Sequence, residues 1–315
     1  MEKKIVVIGG GNGSAICLDA LKRNADLFDI TGVISTADSG GSSGRLRDEF
    51  GILPPGDILR AILSLSKYDY QILRQIFYSA RFSGAGKLDG HNLGNIFLSL
   101  GTKYGGDFLR SLSALAQAVE ARGNVYPVTL KPTRLCAELT NGKVIKGEAV
   151  IDTPDYNRKF KIKKVWLEPS GKAYEKAVRA IRAADYIILS PGSLYTSLVA
   201  TLLPNGTKEA VKASKAKLIY VESAYRAEGE TGPECLSSLV SELEKYLPRR
   251  VDMIIRDAHK LNSAQKKYFQ EKKWASLEFD KENLRGRSIK SFSYRDLKGA
   301  LSPGEISRIF KKILV

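Results

Sequence analysis

The sequence predicts an α/β fold in which a mostly parallel central sheet carries helices on both faces, in one domain over residues 1–315, with a β-hairpin insertion near residues 126–167. Two observations predict it. Short apolar runs alternate with amphipathic stretches through most of the chain, as strands joined by crossover helices do, and this argues for a parallel sheet covered on both faces. The middle breaks that rhythm: it is strand-rich and holds Asn141-Gly142 between two strand-like runs, a strong short-range hairpin signal.

Taken in order, Ile5–Ile8 is the first strand. It follows two lysines and runs straight into glycines, with no long apolar region and no small-residue cleavage site, so it does not read as a signal peptide. The helical stretch Ala15–Arg23 and the strand Ile30–Ser35 come next. Helical periodicity then marks Asp57–Ser66, Leu93–Leu100 and Phe108–Ala121. Within Tyr126–Leu167, the runs Arg134–Leu139 and Lys143–Val150 flank the Asn-Gly turn and suggest an antiparallel insertion or edge rather than a second domain. A helix at Tyr174–Ala183 precedes strands at Tyr186–Leu189 and Leu218–Val221. A helix at Glu234–Tyr246, a strand at Val251–Ile255, a strand-like stretch at Ser288–Ser293 and a last helix from near Pro303 complete the chain.

Composition narrows the function classes. With 43% hydrophobic and 27% charged residues, the chain has enough apolar side chains for a core and an ordinary surface. No apolar run approaches the length of a membrane span, so no membrane partner is expected. Cys17, Cys136 and Cys235 lie far apart without CxxC or His-paired spacing, which argues against a metal cluster or disulfide framework and makes a reducing cytoplasm the expected compartment. The net charge of +16 suits an anionic partner. The lysines are scattered, however, and no nucleic-acid motif accompanies them, so nucleic acid is not the expected one. The oligomeric state is left open, with a homo-oligomer allowed.

Five segments carry chemistry. Gly9–Ser14 follows the first strand and opens a helix, so the backbone N–H groups of Gly10, Gly11, Asn12 and Gly13 suit a phosphate. No Gly-Lys-Ser/Thr follows, so this is not a Walker loop. Thr36–Arg47, after the second strand, offers Gly40, Gly41, Ser42 and Ser43 as donors and Arg45 and Arg47 as phosphate clamps, with Asp38 available to hold Mg2+. Leu53–Ile58 places Asp57 at a helix N-terminus, where capping alone accounts for it; a cation shared with Asp38 is the alternative. Asp89–Asn95 brings His91 to a loop–helix junction and sets Asn92 and Asn95 along one helical side as ligand contacts. Ser190–Ser197 follows an apolar strand, and Gly192 and Ser193 there read as donors, since Gly-x-Ser-x-Gly is absent.

In this order, the strings Ala37–Arg47, Leu53–Ile58, Gly90–Asn95 and Pro191–Ser197 resemble the gluconeogenesis-factor (YvcK-like) family, which is related to the CofD-like 2-phospho-L-lactate transferases of coenzyme F420 synthesis. The resemblance runs from Ile5 to about Pro204 and more weakly to the C-terminus. It implies a Rossmann-related, CofD-like fold and a cytoplasmic protein that binds a nucleotide ligand, a UDP-sugar such as UDP-N-acetylglucosamine. It also implies a regulatory role in growth and cell shape on gluconeogenic carbon sources. The transferase relatives move a phospholactyl-type group from a guanylylated donor, with magnesium held by aspartates. Asp38 and Asp57 match those aspartates and would be catalytic and metal-binding only in a transferase. Three departures stand out. One carboxylate is missing at Ser39, and Leu59-Arg60 replaces the usual Arg-Asn. Gly229-Glu230-Thr231-Gly232 lacks the Asp-Gly that usually follows it. Tyr294-Arg295-Asp296 partly matches a C-terminal Arg-His-Asp, which would make Arg295 a sugar-nucleotide contact.

Overall fold

The computed structural model describes residues 2–153, 156–157, 159–223, 225–227 and 232–315. Its first strand, β1 (Lys3–Gly9), points Ile5 and Val7 into one core and Val6 and Ile8 into another. Burial on both faces is the physical reason its sequence is continuously apolar. The chain continues through β2 (Phe28–Ile34) and β3 (Asn124–Pro127). An antiparallel insertion follows: β4 (Arg134–Leu139), β5 (Val144–Lys146) and β6 (Ile162–Glu168). Then come β7 (Tyr186–Leu189), β8 (Lys217–Val221), the short β9 (Arg226–Ala227), β10 (Met253–Asp257), β11 (Trp274–Ala275) and β12 (Ile289–Phe292).

Seven strands form one sheet in the order β12-β10-β8-β7-β1-β2-β3, and every pairing in it is parallel. From β1 the chain builds outward through β2 and β3, then returns to lay β7 on the other side of β1. That reversal opens a crevice above the carboxyl ends of β1 and β7, where open α/β sheets bind ligands. On one face lie α1 (Gly11–Lys22), α3 (Gly56–Leu65) and the C-terminal helix Pro303–Leu314, packed through Leu18, Ile62 and Phe310. The opposite face is covered by the helices Glu175–Ala183 and Leu236–Glu244, through Ile181 and Val240. Leu135 and Val165 of the insertion join the same core. Among the described residues no helix is long and apolar enough to cross a membrane.

The insertion differs from expectation in two ways. The Asn-Gly hairpin is present, with Gly142 in the left-handed region at φ 84°, but β6 adds a third strand, so the unit is a small sheet in the order β5-β4-β6. The expected strand Lys143–Val150 also stops at Lys146, because Gly147 turns the chain at φ 108° into a short helix, Glu148–Asp152. Another difference lies after β2. The stretch expected as a loop to Arg47 becomes α2 (Gly41–Phe50) at Gly41.

Candidate functional site

A cleft of about 470 Å³ opens at the crevice where the strand order reverses. One side of it is formed at two helix starts. Gly10 precedes α1 and Gly40 precedes α2, and neither helix start has a side-chain cap. The first-turn residues Gly11, Asn12 and Gly13, and Gly41, Ser42 and Ser43, line the cleft. Two uncapped helix N-termini on one cleft leave backbone N–H groups and partial positive charge that could hold an anion. The packing demands glycine at Gly13: a Cβ there would lie 1.9 Å from the carbonyl oxygen of Pro191. The turn after β1 is thereby pressed onto the turn after β7, which contributes Gly192 and Ser193 to the wall.

The other half is acidic. Asp38 and Asp57 both line the cleft, and the insertion adds Glu148 and Asp152. Burial, and then the neighbouring charge of Asp57, push the Asp38 carboxyl up to about 6, against the opposing hydrogen bonds from the Gly40 N–H and Ser43. Burial pushes Glu148 up to about 8, helped by Asp38, Asp152 and Asp57. Asp152 accepts a hydrogen bond from Thr196 Oγ1 at 2.9 Å, and Glu148 accepts one from the Ser39 N–H at 3.4 Å.

One cation answers this charge directly. Arg60 lies 3.9 Å from Asp57, one turn along α3, and its guanidinium sits over the Tyr78 ring at 4.5 Å while donating to the Tyr78 hydroxyl. Burial works against its charge, but Asp57 and Tyr78 outweigh it and hold its pKa above the ordinary arginine value. The replacement of Arg-Asn by Leu59-Arg60 therefore still delivers a guanidinium to the cleft. Asp57 sits inside the first turn of α3, two residues after Pro55 at the N-cap position.

The remaining expected residues are placed as follows. Asn95 lines the cleft and its Nδ2 donates to Ser42 Oγ at 3.0 Å. His91 stands behind, its Nδ1 2.8 Å from the same hydroxyl, with burial and then Arg45 lowering its pKa. Asn92 does not share a helical side with Asn95. It is the N-cap of the helix Leu93–Tyr104, its Oδ1 accepting the Asn95 N–H at 2.7 Å. Arg45 donates to the Asp89 carbonyl at 2.6 Å and Arg47 to the Asp38 carbonyl at 3.2 Å, and neither lines the cleft. Arg295 is 4% exposed and pairs with Asp257, beside Phe269, away from the cleft wall. Residues 229–231 of the Gly-Glu-Thr-Gly string lie outside the described residues.

Glu148, Asp152, Tyr78, Arg81, Ser223 and Tyr225 also line the cleft and lie outside the segments the sequence singled out, while Thr196 and Ser197 come from within the Ser190–Ser197 segment. For Glu148 a signal existed: Gly147 followed by an acidic residue is a helix-start pattern. Among the described residues, no group of three or more His, Cys, Asp or Glu side chains gathers closely enough to hold a metal ion. Asp38 and Asp57, the two carboxylates expected to share a cation, both line the cleft, and Mg2+ is commonly bound by one or two carboxylates together with phosphate oxygens.

The family model described as 2-phospho-L-lactate transferase CofD matches residues 5–295. The chain is 34% identical over 290 residues to the gluconeogenesis factor of Bacillus subtilis, covering 91% of this chain and 89% of that one. It is 35% identical over 287 residues to the gluconeogenesis factor of Halalkalibacterium halodurans, covering 83% and 87% respectively. The crystal structure of a Bacillus halodurans protein of the UPF0052 family superimposes with a TM-score of 0.89, at 32% identity, over 99% of each chain. The chain belongs to the CofD family and, within it, to the YvcK-like gluconeogenesis factors.

Proposed function

We propose that this chain is a cytoplasmic regulatory protein that binds a nucleoside-diphosphate sugar of the UDP-N-acetylglucosamine type and supports growth and cell shape on gluconeogenic carbon sources. One observation carries the binding reading: the uncapped starts of α1 and α2 face a single cleft at the strand-order reversal. Such paired helix starts suit a diphosphate, and a cleft of about 470 Å³ falls in the size range of small-molecule sites. Arg60 and Arg81 add positive charge to the cleft wall, and the hydroxyls of Ser193, Ser197 and Ser223 suit the hydroxyls of a sugar. Asn95 and His91 hold Ser42 in place behind the diphosphate half.

A second reading is favoured by the Asp38–Asp57 pair: magnesium-dependent transfer of a phospholactyl-type group from a guanylylated donor. In it, the two carboxylates would hold Mg2+ against the phosphates, and the ion would polarise the phosphoryl group. The N–H groups of α1 and α2 would offset charge building on the phosphate oxygens.

Calorimetric titration with UDP-N-acetylglucosamine, GDP and GTP, each with and without magnesium, separates the two. Metal-independent binding of the UDP-sugar without turnover supports the regulator. Guanine-nucleotide binding that requires magnesium supports the transferase, and failure of all three ligands to bind overturns both.

A further inference from the structure

The hydroxyl of Ser42, in the first turn of α2, meets two side chains behind the cleft wall. Asn95 Nδ2 lies 3.0 Å from Ser42 Oγ, and His91 Nδ1 lies 2.8 Å from it. All three residues are buried, and His91 does not line the cleft. A serine hydroxyl has one hydrogen to give and two lone pairs with which to accept. What Ser42 can offer a ligand is therefore what these two neighbours leave over.

Asn95 takes one lone pair. Its amide also faces Ser43 Oγ, at 3.5 Å, and Ser43 gives its single hydrogen to Asp38. Only the donor end of an amide fits against an oxygen whose hydrogen is spent, so Nδ2 points this way and donates to Ser42. His91 decides the rest. With the ring proton on Nε2, Nδ1 accepts the Ser42 hydrogen and leaves a lone pair for the cleft. With the ring proton on Nδ1, His91 donates to Ser42 and the hydroxyl hydrogen is left for the cleft. Burial, then Arg45, then Arg81 oppose a second proton on the ring, and only Glu49 favours one, so the choice lies between the two neutral forms.

We infer that His91 is a positioning residue: with ligand bound it keeps its proton on Nδ1 and so makes Ser42 a hydrogen-bond donor to the ligand. This rests on the proposed reading in which the starts of α1 and α2 receive a diphosphate. A phosphate oxygen accepts hydrogen bonds, so a lone pair on Ser42 would oppose it. A hydroxyl hydrogen instead adds a bond to a charged acceptor beside the backbone N–H groups of the same turn. His91 acts only through that hydroxyl.

The test reads the ring itself in the unsubstituted full chain. The sequence has two histidines, and His259 is an internal reference. Its Nε2 lies 2.9 Å from Gln265 Oε1, whose own amide nitrogen donates to the Asp296 carbonyl at 3.2 Å, so the His259 proton sits on Nε2. Nitrogen NMR of histidine-labelled protein at mildly alkaline pH, saturated with UDP-N-acetylglucosamine, should show His91 protonated on Nδ1 alone. Protonation on Nε2 alone, or on both nitrogens, overturns the inference while leaving the binding reading intact, since calorimetry on the same sample reports binding separately. If the UDP-sugar does not bind, the regulator reading fails and this inference falls with it. Ser42→Ala should weaken binding about tenfold, the low end for a hydrogen bond to a charged group. His91→Phe should weaken binding in the parent chain and add nothing in the Ser42→Ala background. Equal losses in both backgrounds would give His91 a role independent of the hydroxyl and overturn the inference.

Discussion

Glu148 accepts a hydrogen bond from the backbone N–H of Ser39 at 3.4 Å, across 109 residues of chain. The contact is returned one residue on, where the Ala149 N–H donates to Ser39 Oγ at 3.0 Å. The antiparallel insertion is thus pinned to the loop after β2, and its carboxylate enters a cleft already holding Asp38 and Asp57.

Burial, and then that crowding, make stability fall with rising pH. Glu148 is raised from its ordinary 4.5 to about 8, and Asp38 from 3.8 to about 6. Both carboxyls hold their protons more tightly folded than unfolded. Between the ordinary and the raised values the folded state therefore binds more protons, and each step up in pH favours unfolding. The melting temperature should decline through this window. Glu148→Gln should flatten the decline, and a variant that retains the full slope would exclude Glu148 as its source.

Gly13→Ala should damage folding and ligand binding together. The new Cβ would meet the Pro191 carbonyl oxygen at 1.9 Å, so the turns after β1 and β7 must separate. Overpacking of this kind costs about 1–3 kcal/mol, readable as a shift in urea midpoint, and the same separation should lower nucleotide affinity. An unchanged midpoint would show that the two turns part at no cost.

Asp57→Asn distinguishes the two proposed readings. It removes a negative charge from beside Asp38 and Glu148, so both should lose protons at lower pH. In a transferase, turnover should vanish while nucleotide binding survives. In a metal-independent regulator, UDP-sugar affinity should change little. Titration with and without magnesium reads both outcomes.

Arg295→Met should act on stability and not on the cleft. Its guanidinium and the Asp257 carboxylate are 4% and 2% exposed, and removing one partner strands the other. Losing half of a buried pair costs about 3–5 kcal/mol, while UDP-sugar affinity of the folded fraction should stay within about twofold, the scale of a few tenths of a kcal/mol. A large loss of affinity at unchanged stability would assign Arg295 to the ligand.

The sheet was largely legible because its strands are buried on both faces, and a run such as Ile5–Ile8 has no other economical use in a chain of this composition. The glycine turns were legible for a related reason, since Gly9–Gly13 between strand and helix leaves few conformations open. The start of α2 was not legible: Gly-Ser-Ser-Gly-Arg-Leu-Arg shows too little apolar periodicity to distinguish a helix from a loop. Glu148 and Asp152 were missed because Val144 and Ile145 suggested a strand running on to Val150, and Gly147 ended it. Their arrival beside Asp38 is a tertiary fact, set by how the insertion folds back, and no local pattern encodes it. Arg60 falls at a departure from the family pattern, and it lines the cleft because a residue one turn beyond Asp57 on α3 reaches the same space.

The two halves of the cleft differ in how they can be inherited. The half proposed to hold the diphosphate is made of main-chain amides at the starts of α1 and α2, which most single substitutions leave in place as long as the backbone keeps its course. Its acidic half is made of side chains, each one codon change from an amide, and two of them hang on an insertion outside the main sheet. On the proposed reading, a lineage can gain or lose reaction chemistry here while keeping the amides that would hold phosphate, so a common scaffold can divide between catalysts and sensors without rebuilding its core.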